Sequence, residues 1–146
     1  MRRLTLLLIG FVALLTASCT HNNGDIGFWF GTWQCEEITI DGVKKTDYTR
    51  NMFFKFQTNV CDIVVTYPHN EYRQRFAEFK EHNDGTITLD FSYTADGDFA
   101  YDFNPPAESM LKKGLNVLHY DKINGKKLIL TFENDDQTIT YTLKKQ

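Results

Sequence analysis

The chain has 146 residues, a formal net charge of −3 and 14% aromatic residues. A mildly acidic chain without a basic stripe is a poor partner for nucleic acid or for anionic lipid surfaces. Its length allows one domain of ordinary size rather than two.

The first 18 residues have the three parts of a secretory signal. Arg2 and Arg3 supply the positive start, and residues 4–15 form an uncharged, largely apolar run. That run is too short to span a bilayer, which needs about 20 residues. Small residues then lead to a cysteine, and Leu15-Thr16-Ala17-Ser18-Cys19 resembles the bacterial lipobox, with Thr16 where leucine is commonest. The resemblance implies cleavage before Cys19 and acylation of its thiol and amine, hence membrane attachment. Several acyl chains make such an anchor durable, because each buried CH₂ contributes about 0.8 kcal/mol. Thr20 is not the aspartate that favours inner-membrane retention in enteric lipoproteins, so the outer membrane of the cell envelope is the expected address. Residues 19–27 read as the lipidated cysteine and a tether, and 28–146 as the folded domain. Loss of residues 1–18 leaves 14 basic against 19 acidic residues, a net charge of −5.

From residue 31 onward, apolar and polar residues alternate with the period of half-buried strands. Ile87, Leu89, Phe91 and Tyr93 alternate with Thr86, Thr88, Asp90 and Ser92, and the same pattern recurs around Phe54, Ile63, Leu130 and Tyr141. Asp41-Gly42, Asn83-Asp84-Gly85 and Asn124-Gly125 mark hairpins, since Asn, Asp and Gly tolerate the positive φ of tight turns. The expected strands are 31–40, 51–57, 60–67, 71–82, 86–93, 115–122, 126–133 and 137–144. Tyr72, Phe76 and Phe79 also fit helical spacing, but hairpin signals on both sides favour a strand. Pro105-Pro106 followed by residues 107–114 predicts one short helix near 106–113, with proline in its first turn and Gly114 at its end. The predicted fold is all-β, an up-and-down antiparallel meander of eight strands closing into a barrel, because closure removes exposed sheet edges. Cys35 and Cys61 fall on strands with another strand between them, a separation of about 9.5 Å. A disulfide requires about 7 Å or less, so two free, buried thiols are expected.

At Phe30-Gly31-Thr32-Trp33 the chain resembles the lipocalin and calycin signature, Gly-x-Trp at the head of the first strand. The C-terminal strands, with Leu128, Leu130, Tyr141 and Leu143, are similar to lipocalin-like domains of bacterial lipoproteins. The resemblance implies that Trp33 closes one end of a ligand-binding barrel. Lipocalins stack an arginine of the last strand on that Trp; here the end offers only Lys144 and Lys145, which leaves the cation cap doubtful. Thr46-Asp47-Tyr48 repeats a second lipocalin motif in letters, but it stands in the loop after the first strand and is set aside as coincidence.

Signatures of catalysis are weak. His69, His82 and His119 have no metal-ligand spacing, and no Gly-x-Ser-x-Gly elbow or phosphate loop occurs. Cys35 and Cys61 lack Cys-x-x-Cys spacing. Asp62, Glu78 and Asp90 read as surface charge, and Asp96, Asp98 and Asp102 lack the further ligand spacing of a calcium loop. No cofactor, metal or catalytic residue is therefore expected. The positive candidate is an apolar cavity lined by Trp33, Phe54, Phe56, Tyr67, Phe91, Tyr93, Phe132 and Tyr141, which all point inward by parity. At eight strands such rings either line a pocket for one small ligand or fill the interior. The leading expectation is a non-enzymatic, lipid-anchored protein that binds a small hydrophobic molecule, with residues 94–114 as lid or plug. The alternative is a protein-interaction module, an envelope assembly subunit or inhibitor, with a filled barrel. Phe28, Trp29, Phe53 and Phe99 would form its exposed patch. A hydrolase or isomerase using a pocket carboxylate is the weaker third option.

Overall fold

Period-two alternation decides which segments become strands. The computed structural model describes residues 27–92 and 104–146. The expected signal peptide, Cys19, most of the tether, Tyr93, Phe99 and the aspartates Asp96, Asp98 and Asp102 lie outside the described residues. The strands are β1 Gly31–Ile40, β2 Val43–Lys44, β3 Met52–Phe56, β4 Val60–Thr66, β5 Tyr72–Glu81, β6 Thr86–Asp90, β7 Leu115–Asn124, β8 Lys127–Asn134 and β9 Gln137–Lys145. Each barrel strand pairs antiparallel with the next, and β1 also pairs with β9 from Trp33↔Lys145 to Ile40↔Ile139. This closes an eight-stranded barrel of β1 and β3 to β9, as expected, and leaves no long edge for pairing with another chain. The extra strand β2 folds back on the end of β1 across Asp41 (φ 51°) and Gly42 (φ 78°), a turn that needs two left-handed residues.

The Tyr72 to Phe79 ambiguity resolves as a strand. In β5, Ala77 and Phe79 are buried, whereas Tyr72 and Phe76 stand exposed on the outer wall. The helical spacing had combined residues from the two faces of one strand. A bulge at Glu36 lets β1 keep Cys35 and Ile38 both buried. Cys35 and Cys61 are free and buried, on β1 and β4 with β3 between them, in line with the spacing argument.

The expected short helix near 106–113 is a single 3-10 turn, Ala107–Ser109. It ends because Met110 turns left-handed (φ 57°) and side chains then take over the backbone bonding. Ser109 Oγ donates to the Pro106 carbonyl at 2.7 Å and accepts from Leu111 N at 3.3 Å. The buried Asn116 side chain accepts from Lys112 N at 2.8 Å and donates to the carbonyls of Lys112, Gly114 and Leu89. These bonds hold residues 104–114 as a strap between β6 and β7. Strand direction puts the start of β1, the β7–β8 turn and the end of β9 at one end of the barrel, here called the base. The strap and the loops before β3 and after β4 lie at the other end, the mouth.

Candidate functional site

The base is closed from inside the sequence signature. Trp33 is fully buried at the head of β1, and its indole N–H donates to the Trp29 carbonyl at 2.9 Å. That bond folds residues 28–30 under the barrel, so Trp29 is buried against Phe56 (5.0 Å) and Phe79 (5.3 Å). Lys145 completes the closure: its ammonium sits 5.2 Å from the Trp33 ring and donates to the Phe28 carbonyl at 2.8 Å. The cation cap that the missing arginine left in doubt is therefore present, supplied by lysine. Gly31 is required beside it. Its φ is 122°, and a Cβ there would stand 3.3 Å from Lys145 Cε. A second cation, Lys122, lies 4.8 Å from the Phe28 ring and 5.3 Å from that of Trp29, and pairs with Glu81 at 2.8 Å. Burial pushes the Glu81 carboxyl up, but hydrogen bonds from Lys122 and Tyr120 outweigh it, and its pKa ends below the usual carboxylate range.

The expected aromatic patch of Phe28, Trp29, Phe53 and Phe99 is not a surface feature among the described residues. Trp29 is buried, and Phe28 and Phe53 are half-buried. The indole bond from Trp33 draws Trp29 inward, and the sequence carries no signal for it beyond proximity to Gly31-Thr32-Trp33.

Six of the residues assigned to the cavity come together inside the barrel. Trp33, Phe54, Phe56, Phe91, Phe132 and Tyr141 all belong to the buried core. Phe54 meets Phe56 at 6.4 Å and Tyr141 at 5.6 Å, and Phe56 meets Phe79 at 4.9 Å. Tyr67 is only partly buried, packed at the rim, because it stands just past the end of β4 and its hydroxyl is drawn to Glu108. Tyr93 lies outside the described residues. Sequence parity missed Trp29 and Phe79, which join the same ring cluster, whereas the strap falls within residues 94–114, the segment expected as lid or plug.

The strap is fastened over the mouth by tyrosines. Tyr141, rooted in the core, sends its hydroxyl to the Ser109 carbonyl at 2.5 Å, and Tyr67 donates to Glu108 Oε1. Leu111 is buried and Met110 packs against the core from above. Lys112 pairs with Asp135 at 2.9 Å on the outer side. Between the strap and the loop before β3 lies a cleft of about 330 Å³, lined by Tyr48, Asn51, Glu108 and Met110 among others. Tyr48, from the Thr-Asp-Tyr segment, donates to the Cys35 carbonyl at 2.7 Å and so fixes that loop to the bulged part of β1.

Burial disfavours the ionised forms of two thiols and one phenol in the core. Burial pushes the Cys35 thiol up to about 12 and raises Cys61 well above its ordinary value. Burial, with Cys35 nearby, likewise raises the Tyr141 phenol. Asp62 departs from the surface-charge expectation. It lies opposite Lys55 and Phe76 on the outer wall, yet is only 5% exposed. Gln74 Nε2 donates to its Oδ2 at 2.6 Å, while Oδ1 has no partner among the described residues. Burial raises its pKa against the opposing effects of Gln74 and Lys55. Asp62 therefore faces away from the interior and does not serve it. Among the described residues, no group of three His, Cys, Asp or Glu side chains is placed to hold a metal ion.

The lipocalin-like domain family matches residues 13–146 of this chain. The fold is similar to that of a lipocalin-like protein from Bacteroides uniformis, with a TM-score of 0.59 and 13% identity over 82% of this chain and 100% of that one. It is also similar to an uncharacterized protein from Bacteroides eggerthii, with a TM-score of 0.53 and 16% identity over 81% and 99% of the two chains. At such identities the likeness is one of fold. No curated protein matches the chain.

Proposed function

Because the chain belongs to the lipocalin-like family, we propose that it is a lipid-anchored envelope protein whose barrel binds a small hydrophobic molecule without catalysis. The lipobox at Leu15-Thr16-Ala17-Ser18-Cys19 supports the anchor, and Thr20 supports the outer membrane as its address. The observation that carries the binding role is the difference between the two ends. The base is shut by two indoles and a lysine, whereas the mouth is covered by a short strap held mainly through side-chain bonds. Displacing that strap exposes the upper face of a core of apolar rings with one phenol, side chains of the kind that line small-molecule sites. The family is generally non-catalytic, which agrees with thiols and a phenol held neutral by burial.

Native mass spectrometry of protein extracted mildly from membranes tests the binding role. A co-purifying hydrophobic adduct, lost on denaturation, is the expected result. A bare mass, both as extracted and after incubation with fatty acids or phospholipids, overturns it. Acyl labelling that disappears in Cys19→Ser tests the anchor separately.

A second reading, a protein-interaction module with a filled barrel, is favoured by the close ring contacts near the base and by Tyr72, Phe76, Leu115 and Val117 exposed on the outer wall. A bare barrel that recovers a stoichiometric partner from the membrane fraction would select it over ligand binding.

A further inference from the structure

Net charge alone speaks against contact with an anionic surface, but the topology sorts the charges. The register places Lys127 opposite Lys144 and Asn124 opposite Lys127, and Lys145 sits opposite Trp33 at the head of β1. Lys122, Lys126, Lys127, Lys144 and Lys145 thus gather at the base from the β7–β8 hairpin and the end of β9, against the carboxylates Glu81, which pairs with Lys122, Asp84 and Asp121. Lys122 and Lys145 are engaged with the aromatic closure. Lys126 and Lys127 are exposed and form no ion pair with a described residue. Two apolar side chains protrude at the same end: Phe30 is 44% exposed and Ile123 is 52% exposed. They are tied to each other's neighbourhood, since Lys122, next to Ile123, lies on the ring of Phe28.

The mouth is charged differently. Asp41, Glu71, Asp135 and Asp136 are exposed there, together with the cations Arg73 and Lys113. The nearby cations Lys44, Lys45 and Lys112 are paired with Glu37, Asp47 and Asp135.

We propose that the base is a membrane-docking face: the barrel stands end-on against an anionic phospholipid leaflet, with its strapped mouth pointing away. This rests on the reading of Cys19 as the lipid anchor. Seven residues, 20–26, separate Cys19 from Gly27, and the chain enters the fold at the base, where Lys145 holds the Phe28 carbonyl. Fully extended, that link spans about 25–28 Å. A ten-residue strand such as β1 rises about 33 Å along its own axis, and less along a tilted barrel. The link therefore reaches the base with slack, whereas presenting the mouth would stretch it along most of the barrel wall. Exposed lysines beside Phe30 and Ile123 match what an interfacial surface uses, cations at phosphate level and apolar side chains below it.

The test uses the full lipidated chain reconstituted in vesicles of phosphatidylethanolamine and phosphatidylglycerol. A fluorophore is placed through Asn124→Cys at the base or Asp135→Cys at the mouth, with nitroxide on the lipid headgroups; Cys35 and Cys61 are buried and do not compete for label. Quenching about threefold or more stronger at the base is expected, since docked groups sit within about 5–10 Å of the headgroups. The paired change Lys126→Glu with Lys127→Glu is expected to reduce that difference to the level seen in pure phosphatidylcholine vesicles. Intact mass and vesicle flotation report the anchor independently. An acylated, floating protein with equal quenching at both ends, or stronger quenching at the mouth, overturns the docking face and leaves the anchor standing. A protein without acyl mass that does not float overturns both.

Discussion

Removing one oxygen tests whether the strap is a fastened cover. Tyr141→Phe deletes the hydroxyl that donates to the Ser109 carbonyl at 2.5 Å and leaves the ring in place against Phe54. Ser109 is fully buried, so its carbonyl loses that donor in a site shielded from water. Leaving a buried acceptor unsatisfied costs about 1–3 kcal/mol, and 1.4 kcal/mol is about tenfold in an equilibrium. The open population of the strap should therefore rise by about five- to 150-fold. Native-state hydrogen exchange reads this residue by residue. The amides of Ser109, Met110, Leu111 and Lys112, which bond within the strap or to Asn116, should exchange faster at denaturant concentrations too low for global unfolding, and the β1–β9 ladder amides, which open by global unfolding, should lose the same about 1–3 kcal/mol. If a hydrophobic ligand enters at this end, its association rate should rise with the open population. Unchanged strap exchange, or a loss confined to the β1–β9 ladder with the strap amides unmoved, would refute the view that this phenol latches the mouth.

The base should respond to charge as well as shape. Lys145→Met is expected to lower stability to urea by about 1–3 kcal/mol, through loss of a charge-assisted hydrogen bond and a cation–π contact. Lys145→Arg should recover much of that loss and keep the Trp33 emission blue. Two carboxylates should show opposite pH behaviour in denaturation measured at pH 3 and pH 7. Glu81 has a lowered folded pKa, so it contributes stability above its unfolded value of about 4.3, and this is lost on acidification through the folded value. Glu81→Gln should thus destabilise at pH 7 and have little effect at pH 3. Asp62 has a raised folded pKa, so its ionisation weakens the fold as pH rises from about 3.9 through the folded value. Asp62→Asn should stabilise at pH 7 relative to pH 3, and the reverse order would show that its burial is not the governing effect. Cys35 and Cys61 should resist thiol reagents in the native protein at pH 8 and react on unfolding, since both thiols are buried and their pKa values raised.

Much of the barrel was legible in the sequence because a strand writes one face in alternate letters. Leu128, Leu130 and Phe132 on β8, and Ile139, Tyr141 and Leu143 on β9, all reach the core as parity requires. Features that depend on two distant segments were not legible. Nothing local to Lys145 says that the chain end returns to Trp33; that contact exists because β1 pairs with β9 across the closure of the barrel. The strap misled for a different reason. Pro105, Pro106 and Gly114 suit helix ends, but Ser109 and Asn116 offer the backbone more local hydrogen bonds than a second helical turn would. Asp62 was read by type as surface charge, whereas its exposure is set by neighbours on the adjacent strand β5, Gln74 and Phe76.

The two ends of the barrel follow from how the chain invests its aromatic residues. At the base, Phe28, Trp29 and Trp33 are close in sequence and held by lysines at both sides, one of which, Lys145, is brought there by the pairing of β1 with β9. At the mouth, tyrosines take the place of tryptophans, and their hydroxyls grip a backbone carbonyl and a carboxylate rather than filling space. A ring that fills space can be removed only by leaving a void, which proteins resist strongly. A hydroxyl bond can be exchanged for water or for a polar group on a ligand at a small net change in free energy. The strap end is thus closed largely by exchangeable hydrogen bonds, and the other end by packed indoles and lysines.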